Sequence, residues 1–116
     1  MPLIPQDALP YFENMIYFPM MLTILAKDRE AVERIGFKLP GPYIKQIDRA
    51  IEAIQKEMKE TADFLRVNKM KLIKGESDDT FTNFIFIYGG YETSRRYLNV
   101  RLKNRTEELI DLYLTK

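Results

Sequence analysis

The sequence predicts a mostly α, α+β fold: helices packed together, with a small antiparallel β-hairpin before the C-terminal helix. Three observations carry that expectation. From residue 44 to residue 65 apolar side chains recur at alternating steps of three and four, residues 69 to 72 alternate lysine with Met or Leu, and residues 84 to 88 are unbroken aromatic and β-branched. The first is the period of an amphipathic helix, and the other two are strand signals.

Taken in order, residues 1–10 hold Pro2, Pro5 and Pro10 and read as an extended arm, anchored by Leu3 or Ile4. Phe12, Ile16 and Met20 then fall at helical spacing, and Pro19 should kink that helix or open a new one in its first turn. The run "PMMLTILAKDREAVERIG" is helical up to Gly36, with Leu22, Leu25, Val32 and Ile35 inward. "FKLPGPY" is a break, after which Pro42 suits a first helical position. The next helix has the most regular pattern in the chain. Ile44, Ile47, Ile51, Ile54, Met58, Thr61 and Leu65 form a seam about three heptads long, and the helix should reach about Val67, with Asn68 as its stop.

Met70 and Leu72 begin a half-buried strand, "GESDDT" is the turn, and in the second strand Phe84, Phe86 and Tyr88 point one way while Ile85 and Ile87 point the other. A strand apolar on both faces needs cover on both. After Gly89 and Gly90 the pattern reads as helix, with Tyr91, Leu98, Leu102, Leu109 and Leu112 on one stripe. Arg105 falls inside that stripe. A break at "NRTEE", where Asn104 and Glu107 resemble a capping box, is therefore expected in preference to a buried partner for Arg105.

A chain of 116 residues and 13.7 kDa supports one compact core, so residues 1–116 read as a single domain. With no Cys and no His, disulfides, thiolate nucleophiles, His-dependent triads and imidazole or thiolate zinc sites are excluded. The carboxylates that remain, Glu57 with Glu60 and the group Glu107, Glu108 and Asp111, could in principle supply hard oxygen ligands, but their spacing is that of solvated helix faces. "GESDDT" lacks the ligand pattern of a calcium loop, and "YGGYE" lacks a GxGxxG motif. No catalytic, cofactor or metal residue is assigned, and a non-enzymatic protein is expected. The longest uncharged run near the N-terminus, residues 14–26, is too short for a membrane span and is not preceded by a basic segment. The reading is a cytoplasmic protein without a signal peptide or membrane anchor.

Two functions compete. The net charge is only +1, but residues 66–105 carry nine basic and four acidic side chains. Lys69, Lys71, Lys74, Arg95, Arg96 and Lys103 could contact phosphates in a winged-helix-like regulator, with Phe84, Phe86 and Tyr88 stacking on bases. Against this, Glu76, Asp78 and Asp79 crowd the turn that would approach DNA, and the basic residues of the last segment are scattered. Protein association accounts for more. A small domain has limited means of covering the seam Ile44, Ile47, Ile51, Ile54 and Met58, the strand with Phe84, Phe86 and Tyr88, and "FPMMLTIL" at once. A homodimer or a protein partner through these residues is the favoured reading.

The segments "FKLPGPYIKQIDRAI", "NKMKLIKGESDDTFTNFIFIYGGYE" and "TSRRYLNVRLKNR" resemble small uncharacterised proteins of Bacillus-type bacteria and their phages or other mobile elements, over roughly residues 20 to 115. The resemblance implies no catalytic residues. It implies a bacterial cytoplasmic setting and a regulator or accessory factor in preference to an enzyme.

Overall fold

A computed structural model describes residues 4–115. The expectations for Pro2 and Leu3 lie outside the described residues. The element order is α1 (Leu9–Ile35), α2 (Gly41–Val67), β1 (Met70–Ser77), β2 (Phe81–Tyr88), β3 (Tyr91–Leu98) and α3 (Asn99–Leu114). This is the expected α+β architecture with one strand more than the hairpin.

Leu9 and Pro10, expected in the arm, instead form the first turn of α1. Proline is tolerated there because its missing N–H would have no intrahelical acceptor anyway. Pro19 lies inside α1 without ending it. It removes the amide that the Met15 carbonyl would otherwise accept, a defect of about 3 kcal/mol in a helix interior. Burial on both sides of the proline, by Phe12 and Ile16 before it and Met21 and Leu25 after it, holds the two halves in one helix. The helix closes at Gly36, whose φ of 86° is the left-handed cap that glycine adopts without a Cβ clash. Ile35, expected to point inward, is 73% exposed at this terminus.

α2 packs antiparallel to α1 across a short connection, and Arg29 Nε donates to Asp48 Oδ1 at 2.7 Å between them. Both side chains are well exposed, so solvent screens the pair and it adds little to stability. At the end of α2, Asn68 Nδ2 donates to the Phe64 carbonyl at 2.8 Å. Lys69 follows with φ of 56°, and its carbonyl accepts the Gly89 amide at 2.9 Å. This swings the chain from helix into sheet.

The sheet is an antiparallel meander in the order β1-β2-β3, with Met70 opposite Tyr88, Ile73 opposite Ile85, and Phe84 opposite Arg95. β1 runs on through Gly75, Glu76 and Ser77, so the acidic turn is shorter than expected. There the Asp78 carboxylate accepts amides from Thr80 at 2.8 Å and Phe81 at 2.7 Å. The helix expected after Gly90 is replaced by β3. Gly89 and Gly90 have φ of 56° and 91°, the pair of positive angles of a two-residue primed hairpin turn, which sends the chain straight back alongside β2.

α3 therefore begins at Asn99 and is continuous, so the expected break at residues 104–108 does not occur. The conflict over Arg105 arose from counting Leu112, which is 53% exposed, into the inward stripe. The inward positions are Leu102, Thr106, Leu109 and Tyr113. Arg105 sits at the rim and pairs with Glu108 at 2.9 Å. Thr106 is fully buried and satisfies its hydroxyl on the Leu102 carbonyl at 2.7 Å.

Two cores result. At the sheet end, Phe12 and Ile16 meet Leu65, Met70, Phe84, Phe86 and Leu102, with the Phe12 and Phe86 rings stacked at 4.7 Å. At the helical end, Phe18, Met21 and Leu25 meet Ile47, Ala50 and Ile54, closed by Leu109, Ile110 and Tyr113 of α3.

Candidate functional site

Alternation along β2 places Thr82, Phe84, Phe86 and Tyr88 on the face turned toward the helices and Phe81, Asn83, Ile85 and Ile87 on the other. The sheet residues that join the sheet-end core, Met70, Leu72, Phe84, Phe86, Tyr88 and Tyr97, all belong to the inner face. None of Ile73, Phe81, Ile85 and Ile87 joins either core. The outer face thus carries a stripe of apolar side chains that join neither core, Ile73 37% exposed and Phe81, Ile85 and Ile87 half-buried.

The register sets charges around that stripe. Lys71 on β1, Ile87 on β2 and Glu92 on β3 form one cross-strand row, and Ile73, Ile85 and Ser94 form the next. Further along, Asn83 stands opposite Arg96, whose guanidinium lies 4.1 Å from the centre of the Phe81 ring. A cation is thus held over the aromatic end of the stripe. The result is an apolar strip with Lys71 on its β1 edge and, on its β3 edge, Glu92 across the same row and Arg96 further along.

The residues expected at a partner interface fall mostly inside the chain. Ile47, Ile54, Phe84 and Phe86 are buried in its two cores, while Ile44, Ile51, Met58 and Tyr88 are half-buried. The six basic residues do not all share one surface, although Lys74 and Lys103 line a common groove. Lys71 and Arg96 lie on the outer face of the sheet; Lys74 and Arg95 lie on the inner face, Arg95 reaching over the Phe86 ring at 5.7 Å; Lys69 is at the junction of α2 and β1; Lys103 is on α3. Among the carboxylates considered as ligands, Glu57 accepts the Tyr113 hydroxyl. Among the described residues no group of three or more acidic side chains is placed to hold a metal ion.

Three tyrosines are held protonated beyond their ordinary range. Burial raises Tyr97, reinforced by Glu13, whose carboxylate accepts its hydroxyl at 3.2 Å. Burial and Glu57 raise Tyr113, and burial and Glu13 raise Tyr17. Of these phenols, Tyr113 ties α3 to α2 and Tyr97 ties β3 to α1.

Ile73 escaped the sequence reading, although Ile85 and Ile87 were visible in it. The signal for those two was strict alternation in a strand apolar on both faces. Ile73 joins them only through the β1–β2 register, which sequence spacing alone did not fix.

Fold and surface together define a small α+β protein whose helices cover one face of an antiparallel sheet and leave the other apolar and open. The chain belongs to the YhjD protein family, whose model matches residues 3–116. It is 32% identical over 114 residues to the uncharacterized protein YhjD of Bacillus subtilis (strain 168), an alignment covering 98% of this chain and 95% of that one. No solved structure matches it. Among the described residues no helix is long and apolar enough to cross a membrane.

Proposed function

We propose that this chain is a non-enzymatic regulatory or interaction module of the bacterial cytoplasm that self-associates through the outer face of its sheet. The observation that carries the proposal is the uncovered stripe of Ile73, Ile85 and Ile87, with Lys71 and Glu92 at opposite ends of one row. Removing such a stripe from water is favourable, at roughly 25 cal/mol per Å² of apolar area. The charge pattern selects a second copy as the cover. A two-fold axis parallel to β2 lays the β1 edge of one copy over the β3 edge of the other without shifting the rows, so each Lys71 meets Glu92 of the other copy. Sheets stacked in this way lie about 10 Å apart.

The absence of Cys supports the reducing compartment. Carriage on phages or mobile elements is part of the same proposal, and gene neighbourhood tests it. The nucleic-acid reading has less support, because its six basic residues are divided between the two faces of the sheet, the helix–strand junction and α3.

Sedimentation equilibrium over a range of concentrations tests the proposal. A dimer is expected, weakened by Ile85→Asn and by either Lys71→Glu or Glu92→Lys, and restored when the two charge reversals are combined. A wild-type chain that stays monomeric, or a dimer indifferent to all of these changes, would refute it. A mass that rises only with duplex DNA at low salt would favour the nucleic-acid reading instead.

A further inference from the structure

On the opposite side of the sheet, a groove of about 640 Å³ opens between α1, the inner face of β1 and β2, and the first turn of α3. Small-molecule sites span about 300–1,000 Å³, so its size is that of a ligand site. Its apolar wall is built mainly from Met15, Met20, Ile24, Leu72, Phe84 and Leu102. Two of these are methionines, whose unbranched thioethers adapt to the shape of an occupant.

The polar groups of the groove separate into two kinds. Ser77, Thr82 and Asn99 are engaged with one another: the Ser77 and Thr82 hydroxyls are 2.9 Å apart, Thr82 donates to Asn99 Oδ1 at 2.7 Å, and Asn99 Nδ2 donates to the Asp78 carbonyl at 2.7 Å. Lys74 of β1 and Lys103 of α3 differ, because neither has a carboxylate within 4.0 Å among the described residues. No acidic residue lines the groove. Two ammonium groups thus border an apolar trough without a counter-charge, and the occupant that complements both is an amphipathic anion.

We propose that this groove binds a free medium-chain aliphatic carboxylate, with the tail along α1 and the carboxylate held by Lys74 and Lys103. Chain length follows from the wall. Residues 15 to 24 of α1 span about 13 Å at a rise of 1.5 Å per residue, which limits the tail to medium length. The site is distinct from the outer face of the sheet and does not depend on self-association.

Isothermal titration of the full chain with decanoate, below its micelle concentration and at neutral pH, tests the proposal. One saturable site is expected, with affinity rising about fourfold for each methylene from hexanoate to decanoate. Decanol and decyltrimethylammonium should bind at least tenfold more weakly. The double variant Lys74→Gln, Lys103→Gln should lose at least tenfold in affinity for decanoate while keeping its circular dichroism spectrum and melting temperature. Ile85→Asn should bind decanoate as the wild type does. Absence of saturable binding, equal affinity for the cationic amphiphile, an unchanged affinity in the double lysine variant, or binding confined to vesicles of anionic phospholipid would each overturn it.

Discussion

The two faces of β2 are made of equally apolar residues and have opposite fates. Phe84 and Phe86 are sealed under α1, with Phe86 stacked on Phe12, whereas Ile85 and Ile87, one residue away on the same strand, meet no helix of their own chain. The difference teaches that hydrophobicity along a strand reports the need for cover, and topology decides who supplies it. Here the apolar residues of the helices pack on the Phe84 and Phe86 side of the sheet, and the other face joins neither core.

The comparison can be broken by substituting along β2. Phe86→Ala should destabilise the chain by about 3–5 kcal/mol, because it opens a cavity where two rings stack; a urea melt reads this directly. Ile85→Ala should change the melt of the monomer by less than about 1 kcal/mol, since the site is not packed within the chain, yet weaken self-association. Equal losses at both positions would mean that the two faces are not different after all.

Smaller effects sharpen the contrast at the ends of the strands. Lys69 holds φ of 56° with a side chain that disfavours it, so Lys69→Gly should stabilise the fold by about 0.5–1 kcal/mol in the same melt. Alkaline pH should act on the inner side. Tyr97 and Tyr113 titrate above their ordinary value of 10.0, so their contribution is complete below pH 10.0 and is lost as pH rises toward the folded-state values. Stability measured against pH should fall in that alkaline range, and Tyr97→Phe should reduce the fall. The smallest effect lies in the acidic turn. Amides of Phe81 and Thr80 hold the Asp78 carboxyl below its ordinary 3.8, so its contribution is present above pH 3.8 and is lost as pH drops through the lower folded value. Asp78→Ala should remove that small acid-side slope.

Much of the fold was legible because α2 and β2 carry strong periods. The seam from Ile44 to Leu65 and the alternation of Phe84, Ile85 and Phe86 needed no tertiary information to be placed on a helix and a strand. β3 was missed because "YETSRRYL" has no apolar alternation of its own: of its two edges one is free, and its outer residues are Glu92, Ser94 and Arg96. The two glycines before it held the answer, since two positive φ angles in succession specify a hairpin more firmly than the residues that follow argue for a helix. A separate error touched α3, where Leu112 was counted inward and the buried Thr106 passed over, so that Arg105 looked buried. The open face was half legible, from Ile85 and Ile87. Its charged ends required the strand pairing, and the groove required the approach of α1 to α3, contacts between segments far apart in sequence.

Pro19 stands where the two cores overlap along α1: Phe12 and Ile16 belong to the sheet end, Met21 and Leu25 to the helical end, while Phe18 before it joins the helical core and Met20 after it packs on the sheet core. A missing helical hydrogen bond at that boundary makes the helix a joint as well as a strut. The two ends should open with different cooperativity under native conditions, amide exchange of residues 11–16 following the sheet and that of residues 21–25 following α2. A perturbation at one end of the molecule would then be damped at the proline, and the outer face of the sheet would feel the helical end only weakly.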